Sequence, residues 1–232
     1  MSEADIPTRA ATASTAPFRG TRFYRFAHLV LRVTCFWPYR GFVIGAGRIP
    51  TSGAFVIAPT HRSMLDIPWV AMSTPRRIRF MGKASLFRVP VLGWLFTVLG
   101  GFPVERDGSD RAPLRDSLRI LEGGEPLVVY PEGTRQRGDV IQPLQPGAAY
   151  LAIKAQVPIV PVAMYDTERA WRGPGRFPRF GGPGVVLVGT PIVPPVRNGS
   201  VVKRELVEQL TAHLHTELQR LYDEARTTQV RR

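Results

Sequence analysis

The chain has 232 residues, a length that suits one domain with a sizeable core. Its single cysteine, Cys35, excludes an intramolecular disulfide framework and any cysteine-based metal cluster. The formal net charge is +13, nearly all of it from arginine. So large a positive charge calls for an anionic partner, such as nucleic acid, a phospholipid surface or a phosphorylated substrate.

The first 40 residues predict a tail followed by a helix. Residues 1–20 are small, polar and proline-containing, which favours a disordered tail over a secretory signal. Residues 21–40 predict a helix that carries Arg22, Arg25 and Arg32 on one face and aromatic and aliphatic side chains over the rest. This pattern is typical of a helix in a membrane interface. It also suits a helix that packs on the main domain, and the two arrangements are compatible.

A short apolar run, Ala54–Ala58, predicts a buried strand that ends at Pro59. His61 follows directly, and Asp66 is the first acidic residue after Asp5. A histidine at the end of a strand, with an aspartate about one helical turn later, suits an imidazole held by a carboxylate. Such an imidazole can take a proton from a hydroxyl near neutral pH. The same spacing also occurs by chance, so the pair needs support from elsewhere in the chain.

The longest uncharged run, residues 89–104, contains two prolines and three glycines. It is shorter than the ~20 apolar residues that a membrane-spanning helix needs, so we predict no transmembrane span. It indicates instead a hydrophobic helix, Val91–Leu99, that turns at Gly100-Gly101 into a strand. The helix suits buried core, and it also suits an acyl-chain groove or a membrane-facing surface.

The remaining segments alternate between helices and strands. In chain order, the first is a helix with Leu114, Leu118 and Leu121, between Ser109 or Asp110 and Gly123-Gly124. A strand, Leu127–Tyr130, and a helix, Ala148–Ala155, follow it. Two strands, Ile159–Ala163 and Val185–Val188, come next, and the last element is an amphipathic helix beginning near Ser200. This alternation predicts an α/β domain with a largely parallel central sheet flanked by helices. Functional groups gather at the carboxyl ends of such strands. His61, Arg106 and residues 132–135 each follow an apolar run, so we expect them in one site.

Four blocks of the sequence occur in the order of the motifs of a known family. They are Thr60–Asp66, Gly101–Arg106, Leu127–Arg135 and Val157–Ala163. Together they resemble the 1-acyl-sn-glycerol-3-phosphate acyltransferase family of glycerolipid acyltransferases, over roughly residues 40–195. Lys83 lies in a segment similar to the family's lysine-containing segment between the first two motifs. Thr60 stands where the family usually has asparagine, and Ala84 where an acidic residue is common.

The resemblance implies a glycerolipid acyltransferase-like domain and a membrane-associated enzyme. Such an enzyme moves a fatty acyl group from a thioester, acyl-CoA or acyl-carrier protein, to the free hydroxyl of 1-acylglycerol 3-phosphate, giving phosphatidic acid. The implied partners are the thioester donor, a lysophospholipid acceptor and an anionic membrane surface, and no nucleic acid. We expect a peripheral or monotopic protein at the cytoplasmic face of the cell membrane. We expect no cofactor beyond the thioester co-substrate and, without His or Cys pairs at metal-ligand spacing, no metal.

For this reaction His61 is the predicted general base, and Asp66 fixes its tautomer and stabilises the imidazolium. The acceptor hydroxyl attacks directly, so no enzyme nucleophile is required, and the chain has no G-x-S-x-G motif. By the resemblance, Arg106 and Arg135 hold the acceptor phosphate through bidentate hydrogen bonds. The predicted acceptor-phosphate site comprises Arg106, Glu132, Gly133, Thr134, Arg135 and Lys83. Within it, Glu132 orders the arginines or holds an acceptor hydroxyl, Gly133 permits close backbone approach, and Lys83 contacts this phosphate or the donor's.

The predicted organisation is a disordered tail at 1–20, an N-terminal interfacial helix at 21–40, an acyltransferase domain at 41–226 and a basic tail at 227–232. Other functions remain open. One is an acyltransferase for another lysolipid or glycerol-phosphate acceptor, and a second is a non-catalytic lipid-binding protein of the same fold. The third, a nucleic-acid-binding domain, is suggested by the charge and by the basic-aromatic stretch 171–180.

Overall fold

The structure, a computed structural model, describes residues 21–104, 112–170, 184–197, 199 and 201–230. The strands are β1 Phe42–Ile44, β2 Val56–Pro59, β3 Arg79–Lys83, β4 Gly101–Val104, β5 Leu127–Val128, β6 Ile159–Tyr165 and β7 Val185–Val188. They form a seven-stranded sheet in the order β1-β7-β6-β2-β5-β3-β4. Strands β2 to β6 share one direction, while β7 runs antiparallel to β6 and parallel to β1. The predicted α/β fold with a largely parallel sheet is therefore confirmed.

Helices cover both faces of this sheet. They are α1 Thr21–Leu31, α2 Asp66–Met72, α3 Ala84–Phe87, α4 Pro90–Leu99, α5 Ala112–Glu122, α6 Gly147–Ala155, α7 Thr167–Ala170 and α8 Arg204–Val230. One core lies between the sheet and α5, α6 and α8, and a second lies on the α2 side. Around β2, Val56 and Ala58 belong to the first core and Phe55 and Ile57 to the second. A strand buried on both faces in this way must be apolar throughout, which is why the sequence predicts it.

The pairing of β2 with its neighbours positions the candidate site. Val56 is in register with Leu127 of β5 and with Ile159 of β6. All three strands are parallel, so the chain leaves each of them at the same edge of the sheet. Residues far apart in sequence, such as His61, Glu132 and Thr167, are thereby brought to one edge.

Two strands differ from the sequence prediction. The segments Phe42–Ile44 and Arg79–Lys83 are strands β1 and β3, although neither was predicted. β1 is apolar but only three half-buried residues long, and β3 begins with Arg79, contains Gly82 and ends with Lys83, so neither has the long apolar run that predicts a strand. They are strands because they pair with β7 and with β4 and β5. This information is not local to either segment.

Helix α1 confirms the helix predicted at the N-terminal end and shows which side it buries. Tyr24 and Ala27 are buried, and His28 Nε2 lies 2.8 Å from the carbonyl oxygen of Ala71 in α2. Arg25 and Arg32 point to solvent. They share the outer side with large apolar side chains, which are Phe26 (62% exposed), Leu29, Val30, Val33 and Trp37 (75% exposed). The helix thus packs on the domain through a few small contacts and leaves most of its apolar surface open.

Helix α8 covers the first core along its full length. Its leucines at 210, 214, 218 and 221 are buried, together with Tyr222 and Ala225. The helix continues to Val230, so residues 227–230 of the predicted basic tail are helical. Among the described residues, no helix is both long and apolar enough to cross a membrane.

Candidate active site

The loop between β2 and α2 is built around the carboxylate of Asp66. His61 Nδ1 lies 2.8 Å from Asp66 Oδ2, and the same oxygen accepts the backbone N–H groups of Arg62 (2.6 Å) and Ser63 (2.8 Å). Asp66 has no solvent exposure. A buried carboxylate needs hydrogen-bond donors, so the loop that supplies them is fixed in place. The predicted pairing of His61 with Asp66 is present in the structure.

This geometry determines which imidazole nitrogen of His61 is left without a bond to Asp66. With Nδ1–H assigned as the donor to Asp66, Nε2 carries the free lone pair. The His61 side chain is 20% exposed while that of Asp66 is fully enclosed. A partly exposed imidazole backed by a buried carboxylate can accept a proton from a hydroxyl group.

The ring of Tyr130 packs against one face of the His61 imidazole, a contact that the sequence analysis did not predict. The two rings are stacked, with 4.0 Å between their centroids and 26° between their planes. Burial raises the pKa of the Tyr130 phenol well above its ordinary value, and the nearby charge of Asp66 adds to the shift. The phenol therefore stays neutral near pH 7, and its ring restricts the rotation of His61.

Glu132 lies beneath the loop and not at its surface. Its Oε1 accepts the backbone N–H of His61 at 3.0 Å, and its Oε2 accepts the N–H of Gln142 at 3.4 Å. Oε2 also lies 3.8 Å from Arg62 Nη2, and neither side chain is exposed. Of the roles considered for Glu132, this geometry favours ordering, but the arginine that it meets is Arg62.

Arg62 connects the loop to α8. Its guanidinium carbon lies 4.7 Å from the centroid of the Tyr222 ring. Both side chains are buried, so this cation–π contact is shielded from water. Arg62 has the same residue type as many surface arginines of this chain, so the sequence contains no signal for its burial.

The side chains of Thr60 and Thr167 also form hydrogen bonds around this loop, and the sequence analysis predicted neither as a site residue. The Thr60 hydroxyl oxygen accepts the N–H of Met164 at 2.9 Å, which ties the end of β2 to β6. The Thr167 hydroxyl donates to Asp66 Oδ1 at 2.7 Å. Thr60 is one of the two departures from the family pattern, and here its side chain serves the pairing of two strands.

The other predicted phosphate-site residues that the structure describes are exposed to solvent. Gly133 adopts a φ of +73°, a left-handed conformation that favours glycine, and turns the chain outward after Glu132. Thr134, Arg135 and Lys83 are exposed, with Lys83 at the carboxyl end of β3. Within the described part of the chain, the Arg135 and Lys83 side chains form no hydrogen bond or ion pair. The predicted residue Arg106 and the predicted helix caps Ser109 and Asp110 lie outside the described residues.

The chemistry of the site is that of an acid–base centre. In the described ranges, no three histidine, cysteine or acidic side chains come together as a metal site would require. An imidazole paired with a buried carboxylate can deprotonate a hydroxyl, and the exposed Arg135 and Lys83 can attract an anionic group.

Comparison with known proteins gives relatives along most of this chain. A family model described as Acyltransferase matches residues 41–165. The chain is 32% identical over 116 residues to the 1-acyl-sn-glycerol-3-phosphate acyltransferase of Bacillus subtilis (strain 168), covering 50% of this chain and 57% of that protein. It is 29% identical over 152 residues to a chloroplastic 1-acyl-sn-glycerol-3-phosphate acyltransferase of Brassica napus, covering 64% and 44%. The chain thus spans about half the length of the curated relatives it matches.

Among solved structures, the crystal structure of the 1-acyl-sn-glycerophosphate acyltransferase PlsC from Thermotoga maritima is similar to this fold. The TM-score is 0.68 at 23% sequence identity, covering 88% of this chain and 77% of that chain. At this identity the similarity concerns the fold, and it agrees with the α/β architecture described above.

The buried pair of Arg62 and Glu132 generates a prediction about stability. Glu132→Gln keeps an acceptor for the His61 N–H but leaves the Arg62 guanidinium without its carboxylate. We expect a loss of about 3 kcal/mol in the free energy of unfolding, measured by urea denaturation. Adding Arg62→Met should recover most of the loss, because the double variant buries no unpaired charge.

The matched control for this prediction is Glu208→Gln. Glu208 pairs with Arg204 on the surface of α8, where both side chains are exposed. This variant should change stability by less than about 1 kcal/mol. A Glu132→Gln protein as stable as the unaltered one would contradict the ordering role of Glu132.

Proposed function

The chain belongs to the acyltransferase family, and we propose that it transfers a fatty acyl group from a thioester to the free hydroxyl of 1-acyl-sn-glycerol 3-phosphate. The product would be phosphatidic acid, and the donor acyl-CoA or acyl-carrier protein. The observation that carries the proposal is the 2.8 Å contact between His61 Nδ1 and a fully buried Asp66, with the His61 side chain 20% exposed. The names of the relatives from Bacillus subtilis and Brassica napus support the choice of acceptor.

In the proposed reaction the acceptor hydroxyl binds to Nε2 of His61. Its oxygen attacks the thioester carbonyl carbon while Nε2 takes the proton, and the Asp66 carboxylate stabilises the imidazolium that forms. The tetrahedral intermediate then expels the thiolate, which receives the proton from His61. The acylated acceptor is then released. No covalent bond to the protein forms, so this route agrees with the lack of a G-x-S-x-G motif in the sequence.

The exposed cations supply the proposed phosphate site. Arg135 and Lys83 are exposed and carry no internal partner among the described residues, so they are available to an anion. We assign the acceptor phosphate to Arg135 and Arg106, with Gly133 and Thr134 shaping the turn and Lys83 beside it. Arginine suits this role because its planar guanidinium can bind two phosphate oxygens at once. Glu132, below this turn, orders the loop from beneath.

The proposed substrates are amphiphiles, so the protein must meet a bilayer. The outer side of α1 and of the two short helical turns that follow it, Arg32–Phe36 and Trp37–Tyr39, combines Arg25 and Arg32 with the exposed Phe26 and Trp37. Helices α3 and α4 expose further apolar side chains, namely Leu86, Val89, Val91 (78% exposed), Trp94 and Leu95. We propose that this surface lies in the interface of the cytoplasmic leaflet as a peripheral or monotopic anchor. Cations attracted by anionic headgroups and apolar side chains inserted between them fit such a position.

One assay tests the proposed activity directly. Purified protein is given acyl-CoA or acyl-carrier protein with lysophosphatidic acid, lysophosphatidylglycerol or glycerol 3-phosphate, and the products are identified by mass. Phosphatidic acid formed from lysophosphatidic acid at the highest rate supports the proposal. Transfer to another acceptor would keep the acyltransferase and change its substrate. Binding of vesicles without any transfer would indicate the lipid-binding alternative.

The catalytic base generates the first functional prediction. His61→Ala should lower kcat by about 10²–10⁴-fold, the size of a general-base contribution, while the far-ultraviolet circular dichroism spectrum stays unchanged. Asp66→Asn should lower kcat somewhat less, because the imidazole remains. His213→Ala, an exposed histidine on α8, serves as the control and should keep full activity. Undiminished turnover in His61→Ala would end this mechanism.

The proposed phosphate site generates the second functional prediction. Arg135→Ala should raise the KM for lysophosphatidic acid by about 10-fold or more and leave the KM for the thioester nearly unchanged, since a charged hydrogen bond to the phosphate is lost. Arg135→Lys should recover only part of the affinity. Arg204→Ala, at the exposed start of α8, is the matched control. Equal increases in both KM values would indicate a structural role for Arg135 instead.

The membrane surface generates the third. Reversing Arg25 and Arg32 to glutamate and replacing Phe26 and Trp37 by serine should release the protein from anionic vesicles, because each basic residue contributes ~1 kcal/mol and apolar insertion adds to this. Activity on bilayer-embedded acceptor should fall with binding, while activity on detergent-dispersed acceptor is retained.

The control for the membrane prediction uses exposed apolar residues on another part of the molecule. Val193 and Val201 precede α8 and are 79% and 74% exposed. Their replacement by serine should leave sedimentation with vesicles unaltered. If the α1 variant still sediments at physiological salt, α1 is not the anchor and the surface of α3 and α4 becomes the candidate.

A further inference from the structure

We propose that Thr167 is a positioning residue for the catalytic pair, holding the plane of the Asp66 carboxylate so that Oδ2 stays aligned with His61 Nδ1. The inference rests on the proposed function. Thr167 begins α7, 101 residues after Asp66, and lies outside the four sequence blocks that carry the family resemblance. Its hydroxyl has one proton to donate, and that proton goes to Asp66 Oδ1, so we expect its effect on the reaction to pass through Asp66.

The two carboxylate oxygens of Asp66 accept hydrogen bonds from different parts of the chain. Oδ2 takes the donors of its own loop, which are His61 Nδ1 and the N–H groups of Arg62 and Ser63. Oδ1 accepts the Thr167 hydroxyl at 2.7 Å, and Thr167 has no solvent exposure. Rotation about the Cβ–Cγ bond of Asp66 moves both oxygens together, so a hydrogen bond to Oδ1 opposes the same rotation that would carry Oδ2 away from His61 Nδ1. The hydroxyl of Thr167 therefore helps to hold the direction of the bond to the imidazole.

The position of Thr167 is itself fixed from two sides. Strand β6 ends at Tyr165, and Asp166 has a φ of +62°, a left-handed turn that directs the next residue back toward the loop. The Asp166 carboxylate meets Arg169 Nε at 2.8 Å and accepts Gln229 Nε2 at 2.6 Å. Gln229 lies in the last turn of α8. A chain of contacts thus runs from the C-terminal helix through residues 166 and 167 to Asp66 and His61.

The test is a double-mutant cycle on the full chain, with rates of acyl transfer to lysophosphatidic acid. Thr167→Val keeps the size of the side chain and removes the hydroxyl. We expect kcat to fall about 10-fold with both KM values unchanged, because the lost bond acts on the base and not on substrate binding. Thr167→Ser keeps the hydroxyl and should recover kcat to within about 2-fold.

Two comparisons separate positioning from general stability. In the Asp66→Asn background, Thr167→Val should lower kcat no further, since the carboxylate that it positions is gone. Thr211→Val is the matched control, because the Thr211 hydroxyl donates to the Val207 carbonyl at 2.7 Å within α8, away from the site. That variant should leave kcat unchanged.

A second readout does not depend on turnover. The His61 Nδ1 proton is followed by NMR and assigned by its loss in His61→Ala. It should exchange slowly with solvent in the unaltered protein and in Thr167→Ser, and faster in Thr167→Val. If the protein transfers no acyl group at all, the proposed function fails, while the exchange data still decide whether Thr167 holds the pair.

Three results would overturn the inference. They are an unchanged kcat in folded Thr167→Val, an equal fall in the Asp66→Asn background, and unaltered proton exchange. If Thr167→Val does not fold, Thr167→Ala takes its place. Failure of both variants to fold would assign the hydroxyl to the stability of the domain and reject a role in positioning.

Discussion

The buried carboxylate of Asp66 is the group on which the rest of the site depends. It has no contact with solvent, and its donors come from its own loop and from the start of α7. Burying an unpaired carboxylate is expensive, so these donors must stay in place whenever the protein is folded. The loop conformation, the orientation of His61 and the docking of α7 are therefore coupled consequences of one electrostatic requirement.

The parallel sheet is what makes this convergence possible. β2, β5 and β6 are adjacent and parallel, so the segments that follow them leave from one edge. The first of these segments carries His61, the second carries Glu132, and the third carries Thr167. Glu132 accepts the His61 N–H and neutralises Arg62, while Arg62 reaches Tyr222 on α8. Asp66, Glu132, Arg62 and Thr167 are thus buried structural partners, whereas the charges of Arg135 and Lys83 are exposed.

This separation between a rigid buried layer and an exposed surface has a functional consequence. General-base catalysis needs a fixed nitrogen, whereas binding an amphiphilic, phosphorylated acceptor needs accessible cations and an apolar approach. Arg135 and Lys83 are exposed, and the apolar side chains of α1 and α4 are exposed as well. The proposed function therefore assigns these two needs to different layers of the fold.

The sequence by itself determined the alternation of helices and strands, the buried β2, β6 and β7, and the pairing of His61 with Asp66, because apolar periodicity and a five-residue spacing are local properties. Only the tertiary structure decided that β1 and β3 are strands, that Glu132 and Arg62 are buried beneath the site, and that Tyr130 and Thr167 contact the catalytic pair. These features arise from contacts between segments that are distant in the sequence, such as His61 with Glu132 (71 residues apart) and Asp66 with Thr167 (101 residues apart). No local pattern records such pairing, since the same residue types occur on the surface and in the core alike.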